Sequence, residues 1–193
     1  MLYILRPSPN KMPKLLKKWQ KNPLTYSQVG CTKNEEVPKG FNKDKRRVLL
    51  GNGEDIFTKA KEALKNWKMY DVSWMDVHRP FAPLEKDETS VTFIKLFGIW
   101  FGAIPCRIVY TINECHNGVT YFGFAFGTVK DHPEVGEEKF VVEWHHQDDS
   151  VWYEVCAISK PGHFLTKCGY PVMRYLQGCF FRDTQKAMQR SVK

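Results

Sequence analysis

The sequence predicts an α+β domain in which a curved antiparallel sheet wraps around a long C-terminal helix. The prediction rests on an amphipathic helix in the first half of the chain, a run of strand-like segments in the middle, and a return of helical periodicity at the end. At 193 residues the chain is long enough to bury one substantial core. Because 14% of the residues are aromatic, that core is predicted either to be filled by rings or to enclose a cavity walled by them.

Residues 1–22 are predicted to form a basic N-terminal arm. This stretch contains six basic side chains and no acid, so the net charge of +8 is concentrated near the start of the chain. Residues 14–20 can form a turn or two of helix with Leu15, Leu16 and Trp19 on one side. Such a basic amphipathic segment either packs on the protein or lies on an anionic membrane surface.

The remaining chain, residues 23–193, is predicted to form a single domain. Loop-like sequence up to residue 41 precedes a short strand candidate at 46–50, which Gly51-Asn52-Gly53 terminates. Apolar residues at three- and four-residue intervals over 56–67 then predict the first long helix.

The second half of the domain is predicted to be a strand meander closed by a helix. Turn signals separate six segments that are rich in β-branched and aromatic residues, at 72–77, 89–97, 106–113, 119–128, 138–144 and 151–159. Pro171 suits the first turn of a closing helix over 171–190.

The six cysteines are scattered, without the close Cys or His spacing of a zinc site or a disulfide scaffold. No glycine-rich phosphate loop or other cofactor motif is found, so neither a metal nor a cofactor is predicted. The chain lacks the long apolar run of a membrane-spanning helix and the pattern of a secretory signal. The expected location is therefore the cytoplasm.

Several ordered segments carry a family resemblance. They are FGFAFGTVKDHPEVGEEKF at 122–140, LTYSQVGCT at 24–32, VPKGF at 37–41, RRVLLGNG at 46–53, ALKNW at 63–67 and VWYEVCAISKP at 151–161. Together they resemble uncharacterised protein family 0548 from about residue 24 to residue 190. The resemblance implies the helix-grip fold of the Bet v 1-like, START-related superfamily, in which the sheet and the last helix enclose a hydrophobic cavity. It implies no particular reaction. Family members commonly carry Tyr where this chain has Phe126, so a role that needs a hydroxyl there is lost.

The densest polar cluster of the sequence lies between residues 127 and 138. A histidine close to several carboxylates can act as a general acid or base, which makes His132, Glu137 and Glu138 the catalytic candidates. The alternative is a hairpin turn in which His132 caps the loop by hydrogen bonds and a glutamate pairs with a lysine. The sequence leaves both interpretations open.

Strand alternation suggests the residues that would contact a ligand. Tyr121 shares one strand face with small residues up to Gly127, which leaves room for a ligand or, as we expect, for the closing helix. Tyr153 and Glu154 face opposite sides of their strand, so one of them points inward. The predicted polar contacts are Tyr121, Thr128, His132 and Tyr153, and the predicted wall residues are Trp67, Phe124 and Phe126.

The leading functional hypothesis is the binding of a small hydrophobic or amphipathic molecule in an interior cavity between the sheet and the C-terminal helix. The alternative is a cyclase, isomerase or hydrolase that acts on such a molecule, with His132 or Glu137 as the acid/base. A third possibility is docking of the basic arm on an anionic membrane surface. A nucleic-acid partner is not expected, because the domain lacks an RNA-binding motif and a clear basic stripe.

Overall fold

A seven-stranded antiparallel sheet frames the molecule. The computed structural model describes residues 8–78, 83–96, 99–162 and 169–193. The strands are β1 (Asn42–Asn52), β2 (Met75–His78), β3 (Thr89–Leu96), β4 (Ile99–His116), β5 (Val119–Thr128), β6 (Glu134–His145) and β7 (Ser150–Pro161). They pair in the order β1-β7-β6-β5-β4-β3-β2, so strands from β2 onward neighbour the next in sequence and the first strand pairs with the last. Residues 1–7 of the predicted arm and the predicted strand end at Phe97 lie outside the described residues.

Within these described ranges, four α-helices lie against the sheet. They are α1 (Met12–Lys21), α2 (Cys31–Asn34), α3 (Glu54–Lys65) and α4 (Tyr170–Ser191). Glu54 and Asp55 occupy the first turn of α3, where negative charge favours the helix dipole. Pro171 stands in the first turn of α4, where its missing N–H breaks no helical hydrogen bond.

The inner face of the sheet, which we define as the side covered by α3 and α4, holds the main core. Phe124 and Phe126 of β5 pack there with Phe140 of β6. Trp67, which follows α3, and Phe180 of α4 complete this group of rings. Ring centroids of Trp67 lie 5.8 Å from Phe124 and 5.4 Å from Phe126. A curved sheet gripping its last helix is the helix-grip fold, so the predicted fold is confirmed. The three predicted wall residues belong to this aromatic core.

The opposite, outer face of the sheet carries α1. Met12, Leu16 and Trp19 of this helix are buried against a second apolar cluster that includes Val91 and Phe93 of β3. Because the apolar side of α1 is buried, its exposed lysines can meet an anionic membrane surface only electrostatically, without insertion of the helix.

Arg107 of β4 holds the end of α1 in place. Its guanidinium donates hydrogen bonds to the backbone carbonyls of Trp19 at 3.0 Å, Gln20 at 2.7 Å and Asn22 at 2.9 Å. These acceptors include carbonyls that the last turn of a helix leaves without an intrahelical partner. A cation at this end also complements the helix dipole.

The small-residue face of β5 is occupied by the segment that follows α1. A Cβ at Gly127 would lie 2.6 Å from Oη of Tyr26 and 2.9 Å from Cδ2 of Leu24, so only glycine allows this approach. The backbone N–H of Thr25 also donates to the carbonyl of Thr128 at 3.0 Å. The expectation that the closing helix packs here is therefore wrong. That helix packs on the phenylalanine face, where apolar area is available.

Tyr153 links β7 to the closing helix. Its hydroxyl lies 2.8 Å from Oγ1 of Thr184 in α4, and both side chains are fully buried. The neighbouring Glu154 faces outward and forms ion pairs with Lys45 and Lys139, each at 3.0 Å. Of the two consecutive residues, Tyr153 is the one that points inward.

Tyr153→Phe is expected to lower the free energy of unfolding by about 1–2 kcal/mol, because the Thr184 hydroxyl would stay buried without its partner. Urea denaturation measures the loss. The double variant Tyr153→Phe, Thr184→Val should recover much of it, since both polar groups are then removed together. A single variant as stable as the natural protein would contradict this role.

Candidate functional site

Strand β6 places its glutamates on opposite faces of the sheet. Glu138 lies between Phe126 of β5 and Ala157 of β7, both members of the inner core, so it faces the interior. Glu137 lies between Gly127 and Ile158 and faces outward. The two consecutive catalytic candidates are therefore separated by the sheet.

Glu137 anchors the N-terminal segment on the outer face. Its Oε2 accepts hydrogen bonds from Tyr26 Oη at 2.7 Å and from the Gly30 N–H at 2.8 Å. Its Oε1 accepts the Thr32 N–H at 3.0 Å and also the Thr32 hydroxyl. Burial, together with the charge of Glu137, raises the pKa of Tyr26. With both oxygens engaged and the side chain only 2% exposed, Glu137 serves as a structural acceptor.

Glu138 is a half-buried carboxyl that makes no ion pair or hydrogen bond with any residue that the structure describes. Burial raises its pKa to about 8, and the charge of nearby Glu134 adds to the rise. The residue nevertheless keeps part of its surface accessible. A carboxyl of this kind is partly protonated near neutral pH and can either donate or accept a proton.

Glu134 lies on the same inner face, four residues before Glu138 in β6. Its Oε2 accepts a long hydrogen bond of 3.5 Å from the Ser159 hydroxyl. Burial raises the pKa of Glu134 to about 7, and the guanidinium of Arg174 limits the rise. Two carboxyls with raised pKa values therefore face the interior from one strand.

Tyr70 and Cys106 complete this inner polar group. Burial raises the pKa of both side chains, and the charge of Glu138 raises them further, which places them within its electrostatic reach. The Tyr70 ring stacks on Phe180 at 5.6 Å between centroids and meets Phe140 edge-on at 5.8 Å. We call the set Tyr70, Cys106, Glu134, Glu138 and Ser159 the interior acidic site.

His132 and Thr128 belong to the turn before β6. Nδ1 of His132 accepts the backbone N–H of Glu134 at 3.0 Å. The Thr128 hydroxyl lies 3.0 Å from the backbone nitrogen of Gly136 and close to the Thr25 hydroxyl. Both side chains thus make hydrogen bonds that stabilise the turn. This is the role that the hairpin interpretation, one of the two left open by the sequence, gives to His132.

Tyr121 lies on the outer face of β5, where its ring stacks on His116 at 4.7 Å between centroids. It is therefore separated by the sheet from the interior acidic site. Of the predicted ligand contacts, the structure brings Tyr153, Trp67, Phe124 and Phe126 to the inner face and leaves Tyr121 outside.

Comparison with known proteins places the chain in a family. The family model described as "Domain of unknown function (DUF1990)" matches residues 25–187. The chain belongs to the DUF1990 family. The matched range contains the complete interior acidic site and the segment that Glu137 anchors.

Two relatives agree with the DUF1990 match, and one of them covers the whole of this chain. A UPF0548 protein of Dictyostelium discoideum is 33% identical, over 100% of this chain and 96% of its own length. A UPF0548 protein of Arabidopsis thaliana is 35% identical, over 82% of this chain and 78% of its own length. The resemblance predicted from the ordered motifs is thus confirmed.

A solved structure shares the fold of this DUF1990 chain. The hypothetical protein jhp0584 from Helicobacter pylori superposes with a TM-score of 0.54 at 10% sequence identity, covering 89% of this chain and 97% of its own. At that identity the likeness concerns the fold alone.

Within the described ranges, no three or more His, Cys, Asp or Glu side chains are grouped so that they could hold a metal ion. The described helices include none that is long and apolar enough to span a bilayer.

Proposed function

We propose that the protein binds one small amphipathic molecule in the interior between the sheet and α4, with the polar group of that molecule at the interior acidic site. The observation that carries the proposal is the inward-facing Glu138, which makes no ion pair or hydrogen bond among the described residues. A carboxyl removed from water without a partner costs stability. A ligand that donates a hydrogen bond or carries a positive charge would offset that cost.

The surroundings of Glu138 suit the apolar part of such a molecule. Phe126 lies directly opposite it in the ladder, and Phe140 follows two positions later on the same face of β6. Both rings are buried in the aromatic core, so an apolar ligand would take the place of core neighbours there, and each Å² of its apolar surface removed from water would contribute about 25 cal/mol. The helix-grip fold supports the proposal, because the sheet and the closing helix enclose this face.

Acid–base catalysis on the bound molecule is the second candidate function. The pKa of about 8 at Glu138 favours it, because a group that titrates near the working pH exchanges protons most effectively. Glu137 and His132 are less suited, since their hydrogen bonds hold the N-terminal segment and the turn. Glu138 would then transfer the proton in a cyclase, isomerase or hydrolase reaction.

Three naphthalene probes of similar size test the binding proposal: 2-naphthylmethylamine, 2-naphthylmethanol and 2-naphthoic acid. Isothermal titration calorimetry on the full chain at pH 7 should give one site per chain. We expect the amine to bind at least about tenfold more tightly than the acid, because a ligand ammonium group favours the ionised form of the interior carboxyls whereas a ligand carboxylate disfavours it.

The variant Glu138→Gln should bring the amine and the acid to within about threefold of each other, since it removes the carboxyl that can ionise beside the amine. Glu36→Gln makes the same change at an exposed residue and should leave the preference as it is. An amine preference that survives Glu138→Gln, or no saturable binding of any probe, would refute the proposal.

A further inference from the structure

A cleft of about 550 Å³ separates the middle of α4 from the edge strand β1. The helix is tied to the strand near both ends. Arg174 forms a two-point ion pair with Asp44, in which Nη2 lies 2.6 Å from Oδ1. Near the other end, the Gln189 amide donates to the carbonyl of Leu49 at 3.2 Å. Between these contacts stands Gly178, where an added Cβ would meet only open space.

Basic residues make up half of the lining of this cleft, although Lys45 and Arg47 turn their side chains to the outer side of β1. One carboxylate, Asp44, stands among five basic residues, which are Lys43, Lys45, Arg46, Arg47 and Arg174. Four of the five are neutralised locally: Lys43 and Lys45 pair with Glu35, Arg47 pairs with Glu143, and Arg174 pairs with Asp44. The fifth, Arg46, makes no ion pair with a residue in the described part of the chain.

The position of Arg46 in β1 directs it toward the helix. Its ladder partner is Val155, a member of the inner core, so Arg46 lies on the helix side of the edge strand. Lys45 and Arg47 alternate to the outer side, where they meet Glu154 and Glu143. Arg46 is itself exposed, and α4 forms the opposite wall of the cleft that it lines.

The opposite wall of the cleft offers neutral hydrogen-bond donors. Gln185 lines it and makes no hydrogen bond to another described residue. Gln177 also lines it, and its amide oxygen accepts from Arg174 at 3.0 Å, which leaves the amide nitrogen as a donor. A guanidinium facing amide donors suits the oxygens of a phosphate or a carboxylate.

We propose that this cleft binds the phosphate or carboxylate group of a small anionic ligand, with Arg46 as its charged partner and Gln185 as a second donor. The site goes beyond the proposed interior function. The two sites differ in sign, because carboxyls face the interior whereas the cleft presents an unneutralised cation. An anion excluded from the interior would therefore bind here.

Titration of the full chain with phenyl phosphate and with benzoate, followed by NMR, tests the cleft. Saturable shifts should appear in β1 and in the middle of α4. Arg46→Gln should weaken phenyl phosphate binding at least about fivefold. The control Arg182→Gln removes an exposed arginine of α4 that does not line the cleft. It should change the affinity for phenyl phosphate by less than about twofold. Equal affinity in the two variants would overturn the proposal.

Gly178→Leu provides a second variant that leaves every charge in place. The leucine side chain would enter the open space between α4 and β1 and should abolish binding of phenyl phosphate. Gly178→Ala adds only one methyl group, should raise the thermal midpoint because alanine favours the helix, and should keep most of the binding. Full binding by a folded Gly178→Leu variant would also overturn the proposal.

Vesicles distinguish a lipid headgroup from a soluble anion. Sedimentation with vesicles of phosphatidylcholine and phosphatidate is compared with that of phosphatidylcholine alone. Binding to phosphatidate that Arg46→Gln abolishes would support a phosphate on a lipid as the ligand of the cleft. Soluble-anion binding that needs Arg46, with no vesicle binding, would support a free phosphate or carboxylate ester. Vesicle binding that Arg46→Gln leaves intact, without any soluble-anion binding, would refute the site.

Discussion

Glu137→Gln is expected to lower the free energy of unfolding by about 3–5 kcal/mol, because four hydrogen bonds to a buried carboxylate are disturbed together. An amide keeps one oxygen as an acceptor but turns an NH2 group toward two of the four donors. The donors come from Tyr26, Gly30 and Thr32, so the loss is expected to begin in the N-terminal segment. Urea denaturation gives the total, and limited proteolysis should reveal cleavage near residues 24–36 before global unfolding.

Glu36→Gln is the matched control, because it makes the same substitution on an exposed residue a few positions away. It should change stability by less than about 0.5 kcal/mol. Tyr26→Phe removes one of the four hydrogen-bond donors, so its loss of stability should lie between those of Glu137→Gln and Glu36→Gln. A Glu137→Gln protein that matches the control in both assays would show that the segment is held by other contacts.

Glu138→Gln is expected to make the protein more stable than the natural protein above pH 8. The natural protein loses stability as the pH rises, and the variant should lose less. The folded-state pKa of about 8 lies above the usual value of 4.5, so between these pH values the folded state binds more protons than the unfolded state. Stability must then fall as pH rises through this window and level off above it. At about 1.4 kcal/mol for each pKa unit, and with allowance for partial exposure, the change is about 2–4 kcal/mol.

Urea denaturation of both proteins at pH 5 and pH 9 measures this difference. The natural protein should lose more stability between the two values than Glu138→Gln does. Glu134→Gln should show a smaller effect of the same sign, because the pKa of Glu134 is raised only to about 7. Parallel pH profiles for the natural protein and Glu138→Gln would contradict the inward, partner-free placement of this carboxyl.

The regular elements were predictable because their patterns are local. The strand predicted over 119–128 is observed as Val119–Thr128, and the helix predicted over 171–190 is observed as Tyr170–Ser191. Strand β4 extends well beyond the predicted 106–113, because Pro105 and Gly102 read as breaks although the ladder to β3 continues through them. Tertiary pairing overrode the local turn signals there.

The interior acidic site was only partly predictable. Glu138 was a candidate, but Glu134 lies before the predicted strand at 138–144, because Pro133 and Gly136 are turn formers, whereas β6 already begins at Glu134. The sequence did contain a signal for its orientation. Phe140 and Val142 share the parity of Glu134 and Glu138, and apolar residues at those positions mark the inner face. Tyr70 and Cys106 come from distant parts of the chain, so no local pattern could bring them to these carboxyls.

The segment around α2 also escaped prediction, because its stability comes from across the sheet. Residues 23–41 are rich in loop signals, and the four-residue helix at Cys31–Asn34 is too short to show a period. What holds it is Glu137, more than one hundred positions later in the chain. A contact of that kind depends on the fold as a whole.

The pairing of the first strand with the last has a consequence for synthesis on the ribosome. Among the described strands, β1 hydrogen-bonds only to β7. The hydrogen-bond donors of residues 26–32 find their acceptor, Glu137, only in β6. In an emerging chain, β1 therefore has no partner strand until the residues up to Pro161 have left the exit tunnel. The apolar side of α3 is not covered by the complete sheet until then. Domains dominated by such distant contacts fold slowly and are exposed to aggregation meanwhile. The sheet of this domain is accordingly complete only once β7 is available, and truncation within β7 leaves β1 without its partner strand.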